Sequence, residues 1–252
     1  MFRAQTNEGF LFKVLAELLQ HNIKSCCLNL NEEGITLQMT DNQCKVLVDI
    51  VLDKDKFNIY KYKFSQKKII GLNLSHFYKM LKSVKKKDTV ELFIANDNDY
   101  NFGIKITPKD NSRTTTSYIK IQNIQNIEIK IPEGYNNSII IQSGEFHKMI
   151  KDMLQIGNQI EVIATKNTIL FKCISEGIYS REVKFGIEDE YEDNEVIFKD
   201  TYYTEQLHKI IKISGLSNKL YINTQEKLPL LFKTNVGTLG QIKLFIKNNN
   251  KN

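Results

Sequence analysis

Lysines three residues apart recur along this chain: Lys79 and Lys82, Lys148 and Lys151, Lys209 and Lys212. Lys13 occupies the same kind of setting, with His21 and Lys24 just beyond it, and Lys85, Lys86 and Lys87 follow the first pair. Residues three apart share one face of a helix, so each pair can offer two ammonium groups to one ligand. An ammonium is a mobile point charge that grips a phosphate without reading a base. Binding to a duplex of any sequence needs little more. No arginine stands at these positions, which argues against bidentate readout of guanine. A single lysine-bearing helix is ordinarily a solvated surface; a recurring one asks for another reason.

Other constellations are weaker. Asp97, Asp99 and Asn101 begin like a calcium loop, but Phe102 replaces the sixth-position glycine and Pro108 stands where the closing glutamate belongs. The acidic run from Glu188 to Glu195 is expected to be a solvated loop. The four histidines have no ligand spacing, and no phosphate-binding glycine loop or nucleophile elbow occurs. Neither a metal, a cofactor nor an enzymatic activity is expected. Cys26, Cys27, Cys44 and Cys173 fit no zinc or redox pattern and are expected to be reduced thiols of an intracellular protein.

The lysines lie on segments that repeat. "GFLFKVLAELLQ" from Gly9 and "GEFHKMIKDMLQ" from Gly144 align at an offset of 135, with apolar residues at helical spacing. "FYKMLK" from Phe77 and "LHKIIK" from Leu207 align at an offset of 130. Each half therefore carries two helices of about 10 to 12 residues, about 15 to 18 Å long. Between them run alternating segments expected to be strands: "GITLQM", "KVLVDIVL", "TVELFI" and "FGIKIT" in the first half, then "IEVIA", "TILFKC", "REVKFGI", "KLYINT" and "LPLLFKT". The fold class is α+β: two similar lobes of antiparallel sheet, each with two short helices. Residues 1–117 form the first lobe, 118–134 a connecting segment and 135–252 the second. The joint from Tyr118 to Tyr135 is partly apolar and is expected to pack along a surface.

Of 252 residues, 35 are basic and 29 acidic, giving a net charge of +6. That excess is mild, so its meaning depends on placement. No apolar run is long enough to span a bilayer, and the first residues lack a signal-peptide pattern; no membrane association is expected.

In these respects the chain resembles the sliding clamps of the proliferating cell nuclear antigen family. The resemblance rests on "GITLQMTD" (Gly34 to Asp41), "GLNLSHFYKMLK" (Gly71 to Lys82), "IPEGY" (Ile131 to Tyr135), "SGEFHKMIKDMLQIG" (Ser143 to Gly157) and "LPLLF" (Leu228 to Phe232). It implies a DNA clamp fold and a closed homotrimeric ring around double-stranded DNA, bound without sequence specificity. Lys13, Lys79, Lys82, Lys148, Lys151, Lys209 and Lys212 would line the channel. Edge strands carrying Thr116, Tyr118 and Lys120 on one side and Tyr179, Arg181 and Val183 on the other would join subunits. A partner-peptide pocket would involve Thr40, Cys44, Leu47, Ile129, Ile131, Pro229, Phe245 and Ile246.

The implied role is that of a DNA polymerase processivity factor, tethering replication and repair proteins that carry a clamp-binding motif. An ATP-dependent clamp loader would place it on DNA. The location would be the nucleus, or a cytoplasmic replication site if the source is viral. Lys166 matches a modification site of cellular relatives. The chain departs from the family pattern at Thr40, where methionine is usual, at Lys45, and in its basic balance. Two other readings stay open: a monomeric or dimeric processivity subunit held on DNA by charge, and a clamp-fold viral transcription or scaffold factor.

Overall fold

The computed structural model describes residues 1–96, 100–175, 177–187 and 195–249. Asp97 and Asp99 of the calcium-like sequence, and the acidic run up to residue 194, lie outside the described residues.

The first half runs β1 (Phe2–Thr6), α1 (Gly9–Asn22), β2 (Ser25–Asn31), β3 (Gly34–Thr40), β4 (Val46–Asp53), β5 (Ile59–Tyr62), β6 (Lys68–Asn73), α2 (Leu74–Leu81), β7 (Thr89–Ile94), β8 (Asn101–Thr107) and β9 (Thr115–Lys120). The second runs β10 (Asn137–Gln142), α3 (Ser143–Leu154), β11 (Gln159–Ala164), β12 (Thr168–Ser175), β13 (Tyr179–Gly186), β14 (Phe198–Tyr203), α4 (Thr204–His208), β15 (Lys219–Thr224), β16 (Leu230–Val236) and β17 (Gly240–Ile246). Apart from β5, the second half repeats the order of the first.

All strand pairs are antiparallel and form three sheets, ordered β5-β1-β7-β8-β9, β10-β15-β16-β17-β4-β3-β2-β6 and β13-β12-β11-β14. The middle sheet spans both halves, because β17 pairs with β4 from Ile246 opposite Val46 to Gly240 opposite Leu52. Buried Val46, Val48, Ile50 and Leu52 face the core there, beside Ile242, Leu244 and Ile246. Alternation puts Phe245 and Leu47 on the outer face.

The repeat can be followed residue by residue. Matching the helix starts Leu74 and Thr204, and following the strand registers outward, equates Tyr118 of β9 with Phe245 of β17. Following them the other way, through Ser25 and Gln159, equates Ser180 of β13 with Leu47 of β4. So β9 and β13, each at a sheet edge, are the counterparts of the two strands that pair inside the chain.

The helices lie together: α1 packs on α2 and on the 3₁₀ turn Ile211–Gly215, which with α4 packs on α3. Gly215 permits the approach, since a Cβ there would meet Val14 Cγ1 at 3.0 Å. Helix α1 buries Phe12, Leu15, Ala16, Leu18 and Leu19; α3 buries Phe146, Met149, Ile150 and Met153. Two helices are shorter than the sequence suggests. Helix α2 has 8 residues, started by Asn73, whose side chain accepts from the His76 N–H at 3.0 Å. Helix α4 has 5 residues and gives way to the 3₁₀ turn. The β-branched Ile210, Ile211 and Ile213 are weak helix formers, and the Ser214 hydroxyl donates back to Ile211 O at 2.9 Å.

The joint lies against the first half. Gln122 N–H donates to Gly71 O at 2.9 Å, and a Cβ on Gly71 would come within 2.3 Å of Gln122 O. The buried Cys27 thiol approaches Ile124 O at 3.6 Å. Tyr118–Lys120 already belong to β9, so the regular strand runs past residue 117.

Candidate nucleic-acid interface

The four helical segments form one row, α2, α1, the α4 and 211–215 unit, then α3. Their apolar sides meet the core, which leaves the polar sides to solvent. Lys79, Lys82, Lys148, Lys151 and Lys209 are exposed; Lys13 and Lys212 are half-buried. The seven are not electrostatically alike. Lys212 Nζ lies 2.7 Å from Glu17 Oε1 across the seam between the halves. Lys148 pairs with Glu145 at 2.8 Å, and Lys209 reaches Glu205 only at 3.8 Å. Lys13 Nζ donates to Val84 O at 3.4 Å and sits 5.5 Å from the Phe10 ring centroid. Lys79, Lys82 and Lys151 have no carboxylate partner among the described residues.

Three histidines collect at the seam. His147 Nδ1 lies 2.9 Å from Ser214 Oγ. Since that hydroxyl donates to Ile211 O, the ring nitrogen is the donor and Nε2 is left unprotonated. Burial, then Lys151, Lys212 and His208, hold the His147 pKa below its ordinary value. Burial also lowers that of His21; Glu17 opposes the shift, while Lys212 and His208 add to it. These rings thus lie close to the lysines of both halves. They do not make a metal site: among the described residues no three His, Cys, Asp or Glu side chains are placed to hold an ion. Glu17, His147 and Ser214 escape a reading based on lysine spacing. Only Glu17 leaves a trace in the sequence, one turn after Lys13 on the same face.

The outer face of the long sheet carries a second arrangement. Register places Thr40, Leu47, Phe245 and Leu231 side by side across β3, β4, β17 and β16. Tyr135 lies against this row, its ring 6.3 Å from Phe245 and its hydroxyl donating to Pro229 O at 2.7 Å. Cys44 is exposed at the β3–β4 turn with φ 52, its Sγ 4.0 Å from Thr40 Oγ1. Ile129 and Ile131 are half-buried on the joint. Phe245 and Leu231 are themselves buried on this outer face, whereas Ile246 is buried on the opposite, core face. Leu231 and Tyr135 are members of the arrangement that the sequence does not announce, because they follow from register and chain path.

At the free sheet edges, Thr116, Tyr118 and Lys120 are exposed on one face of β9, with Tyr118 edge-on to Phe93 at 5.9 Å. On β13, Tyr179 is exposed, Val183 packs against the core, and Arg181 Nη1 reaches Asp152 Oδ2 of α3 at 2.8 Å. Among the described residues no helix is long and apolar enough to cross a membrane. All four cysteines are free, and only Cys44 is exposed.

Comparison with known proteins agrees with this architecture. Residues 1–129 match the model for the N-terminal domain of proliferating cell nuclear antigen, and residues 130–249 match that for its C-terminal domain. The proliferating cell nuclear antigen of Chaetomium thermophilum is 23% identical over 254 residues, covering 98% of this chain and 97% of the relative. A protein of Paramecium bursaria Chlorella virus 1 named "Probable DNA polymerase sliding clamp 1" is 22% identical over 254 residues, covering 98% and 96%. Uncharacterized protein 436R of Invertebrate iridescent virus 6 is 28% identical over 234 residues, covering 83% of this chain and 76% of the relative. With two domain models that together span nearly the whole chain, the protein belongs to the proliferating cell nuclear antigen family.

Proposed function

We propose that the protein is a sliding clamp subunit, a processivity factor that closes into a homotrimeric ring around duplex DNA. The observation that carries this reading is the equivalence of β9 with β17 and of β13 with β4. Inside the chain β17 and β4 pair; β9 and β13 are instead open sheet edges, which proteins seldom leave uncovered. Repeating the internal contact between copies joins the five strands of one sheet to the four of the next copy's. The contact is heterologous and can propagate until it closes. The internal pairing of Phe245 with Leu47 then sets Tyr118 opposite Ser180 of the next copy.

In that ring the lysine-marked helices face inward, and the lobes are residues 1–117 and 135–252 with 118–134 between them. Contacts limited to phosphates let the duplex slide. The row Thr40, Leu47, Phe245 and Leu231, with Tyr135 and Cys44 beside it, receives apolar anchors of a polymerase or repair-factor peptide. Tethering in this way raises local concentration rather than performing chemistry. Loading onto closed DNA calls for an ATP-dependent loader, and the place of action is the nucleus or a viral replication site.

The net charge of +6 favours a second reading, an open subunit held by attraction alone. Light scattering and salt challenge separate the two. A closed ring has three times the 29.3 kDa chain mass and stays on circular DNA in salt that strips it from linear DNA. A species of single-chain mass that leaves both DNAs at the same salt refutes the ring.

A further inference from the structure

Just past the end of the helix row's α2 lies a cationic corner that the ring reading does not use. Helix α2 ends at Leu81, and Lys85, Lys86 and Lys87 follow on a tight, fully exposed turn. The turn is fixed by Asp88, which is 7% exposed: its carboxylate accepts from Lys85 N–H at 2.9 Å, and its own N–H donates to Lys85 O at 3.1 Å. The β8–β9 turn stands beside it, with Asn111 N–H donating to Pro108 O at 3.0 Å. Together Lys85, Lys86, Lys87 and Lys109 line an open groove of about 580 Å³ with Asp88, Pro108 and Asp110.

The carboxylates of this groove do not cancel its charge. Asp88 is buried and spends its oxygen on a backbone N–H. Asp110 accepts from Ser112 N–H at 3.0 Å. No ion pair involves any of the four lysines among the described residues. Four ammonium groups around two carboxylates leave the groove with an excess of positive charge, which favours a polyanion. The corner begins four residues past the last helical residue, Leu81. Lys79, Lys82 and Lys85 follow at three-residue steps, each about 4.5 Å along the axis while the helix lasts.

We infer that Lys85, Lys86, Lys87 and Lys109 form a second phosphate-binding site, which takes the backbone of duplex DNA where it passes off the end of α2. The inference rests on the reading of the helix row as the DNA face. It adds a contact outside that row, so the protein grips a longer stretch of duplex than the helices alone can cover.

The test uses the full chain, a labelled 40-base-pair duplex and anisotropy over a series of salt concentrations. One variant carries Lys85→Ala, Lys86→Ala, Lys87→Ala and Lys109→Ala. A second carries Lys79→Ala, Lys82→Ala and Lys151→Ala on the helix row. A third carries Lys61→Ala, Lys63→Ala and Lys67→Ala at the opposite side of the first sheet. Each lost phosphate contact lowers the log–log salt slope by about 0.9. If three of the four corner lysines touch phosphate, the first variant loses about 2.7 from the slope, and lysine-to-arginine replacements at the four positions retain it. The third variant keeps the parent slope. A corner variant with the parent slope overturns the inference while leaving the helix-row reading intact. A helix-row variant with the parent slope overturns that reading instead. Equal losses in the corner and control variants, or a corner variant that only weakens association between copies, also overturn the inference.

Discussion

Replacing Glu17 with glutamine is expected to tighten DNA binding, although it removes an ion pair. Lys212 Nζ is 2.7 Å from the Glu17 carboxylate, so at this point of the helix row the protein presents almost no net charge. Glu17→Gln leaves the ammonium free for a phosphate. Lys212→Ala does the opposite, leaving a carboxylate aimed at the polyanion, and the double variant returns to neutrality. The order of affinity should be Glu17→Gln, then the parent and the double variant together, then Lys212→Ala. One ammonium released to phosphate steepens the salt slope by about 0.9, so a fourfold rise in salt weakens binding about 3.5-fold more than in the parent. If three copies surround the duplex, the added slope approaches about 2.7. Anisotropy with a random-sequence duplex between 50 and 200 mM salt reads all four proteins. Glu17 also raises the pKa of His21, so Glu17→Gln should move the His21 NMR titration to lower pH and report the local change independently. Glu17→Gln binding no tighter than the parent, or Lys212→Ala binding as well as the double variant, would refute the placement of this pair on the DNA face.

Cysteines introduced as Tyr118→Cys and Ser180→Cys should cross-link neighbouring copies under oxidation, because directly opposed residues bring their Cα atoms within about 5.5 Å; a ladder that stops at three chains marks closure, and no cross-linking refutes the shared register. Leu47→Arg should weaken binding of an apolar clamp-binding peptide by more than about tenfold in calorimetry while the salt dependence of DNA binding stays as in the parent. Phe146, fully buried with ring centroids 5.2 Å from Phe232 and 6.3 Å from Phe171, should cost about 3–5 kcal/mol when cut to alanine, read from denaturant midpoints. Folding holds His147 and His21 below their ordinary pKa of 6.5, so the unfolded chain binds more protons in the window just below that value. Their contribution to stability is therefore present above pH 6.5 and falls away as the pH drops through the depressed values. Melting temperature should decline from pH 7.5 to 5, less steeply in His147→Gln than in the parent.

The sequence is most informative where periodicity is long and uninterrupted. The helix from Gly9 and the one from Gly144 stand out because apolar residues recur through three turns. Strands such as Val46–Asp53 and Thr89–Ile94 stand out because β-branched and other apolar residues dominate them. Short strands such as Phe2–Thr6 and Ile59–Tyr62 offer too few residues for a period to show. The fourth helix is misleading: "LHKIIKIS" has helical spacing, yet its isoleucines and Ser214 break it into two pieces. Lysine spacing locates the cationic face but is blind to carboxylates supplied by another element, so Glu17 opposite Lys212 needs the fold. The same holds for Lys109, which joins Lys85 only when two distant turns meet. Pairings such as Phe245 with Leu47 span nearly the whole chain, and no local pattern encodes them.

The place of β17 in the long sheet has a consequence for how the protein is made. Strand β4 ends at Asp53, but its neighbour on one side starts at Gly240. On a ribosome adding about 5–20 residues per second, the first half waits on the order of ten to forty seconds with that edge unpaired. During the wait the nascent chain exposes the same kind of open strand as β9 and β13, which stay at sheet edges in the finished protein. The order of translation thus keeps the edge of β4 unpaired until the final strand emerges.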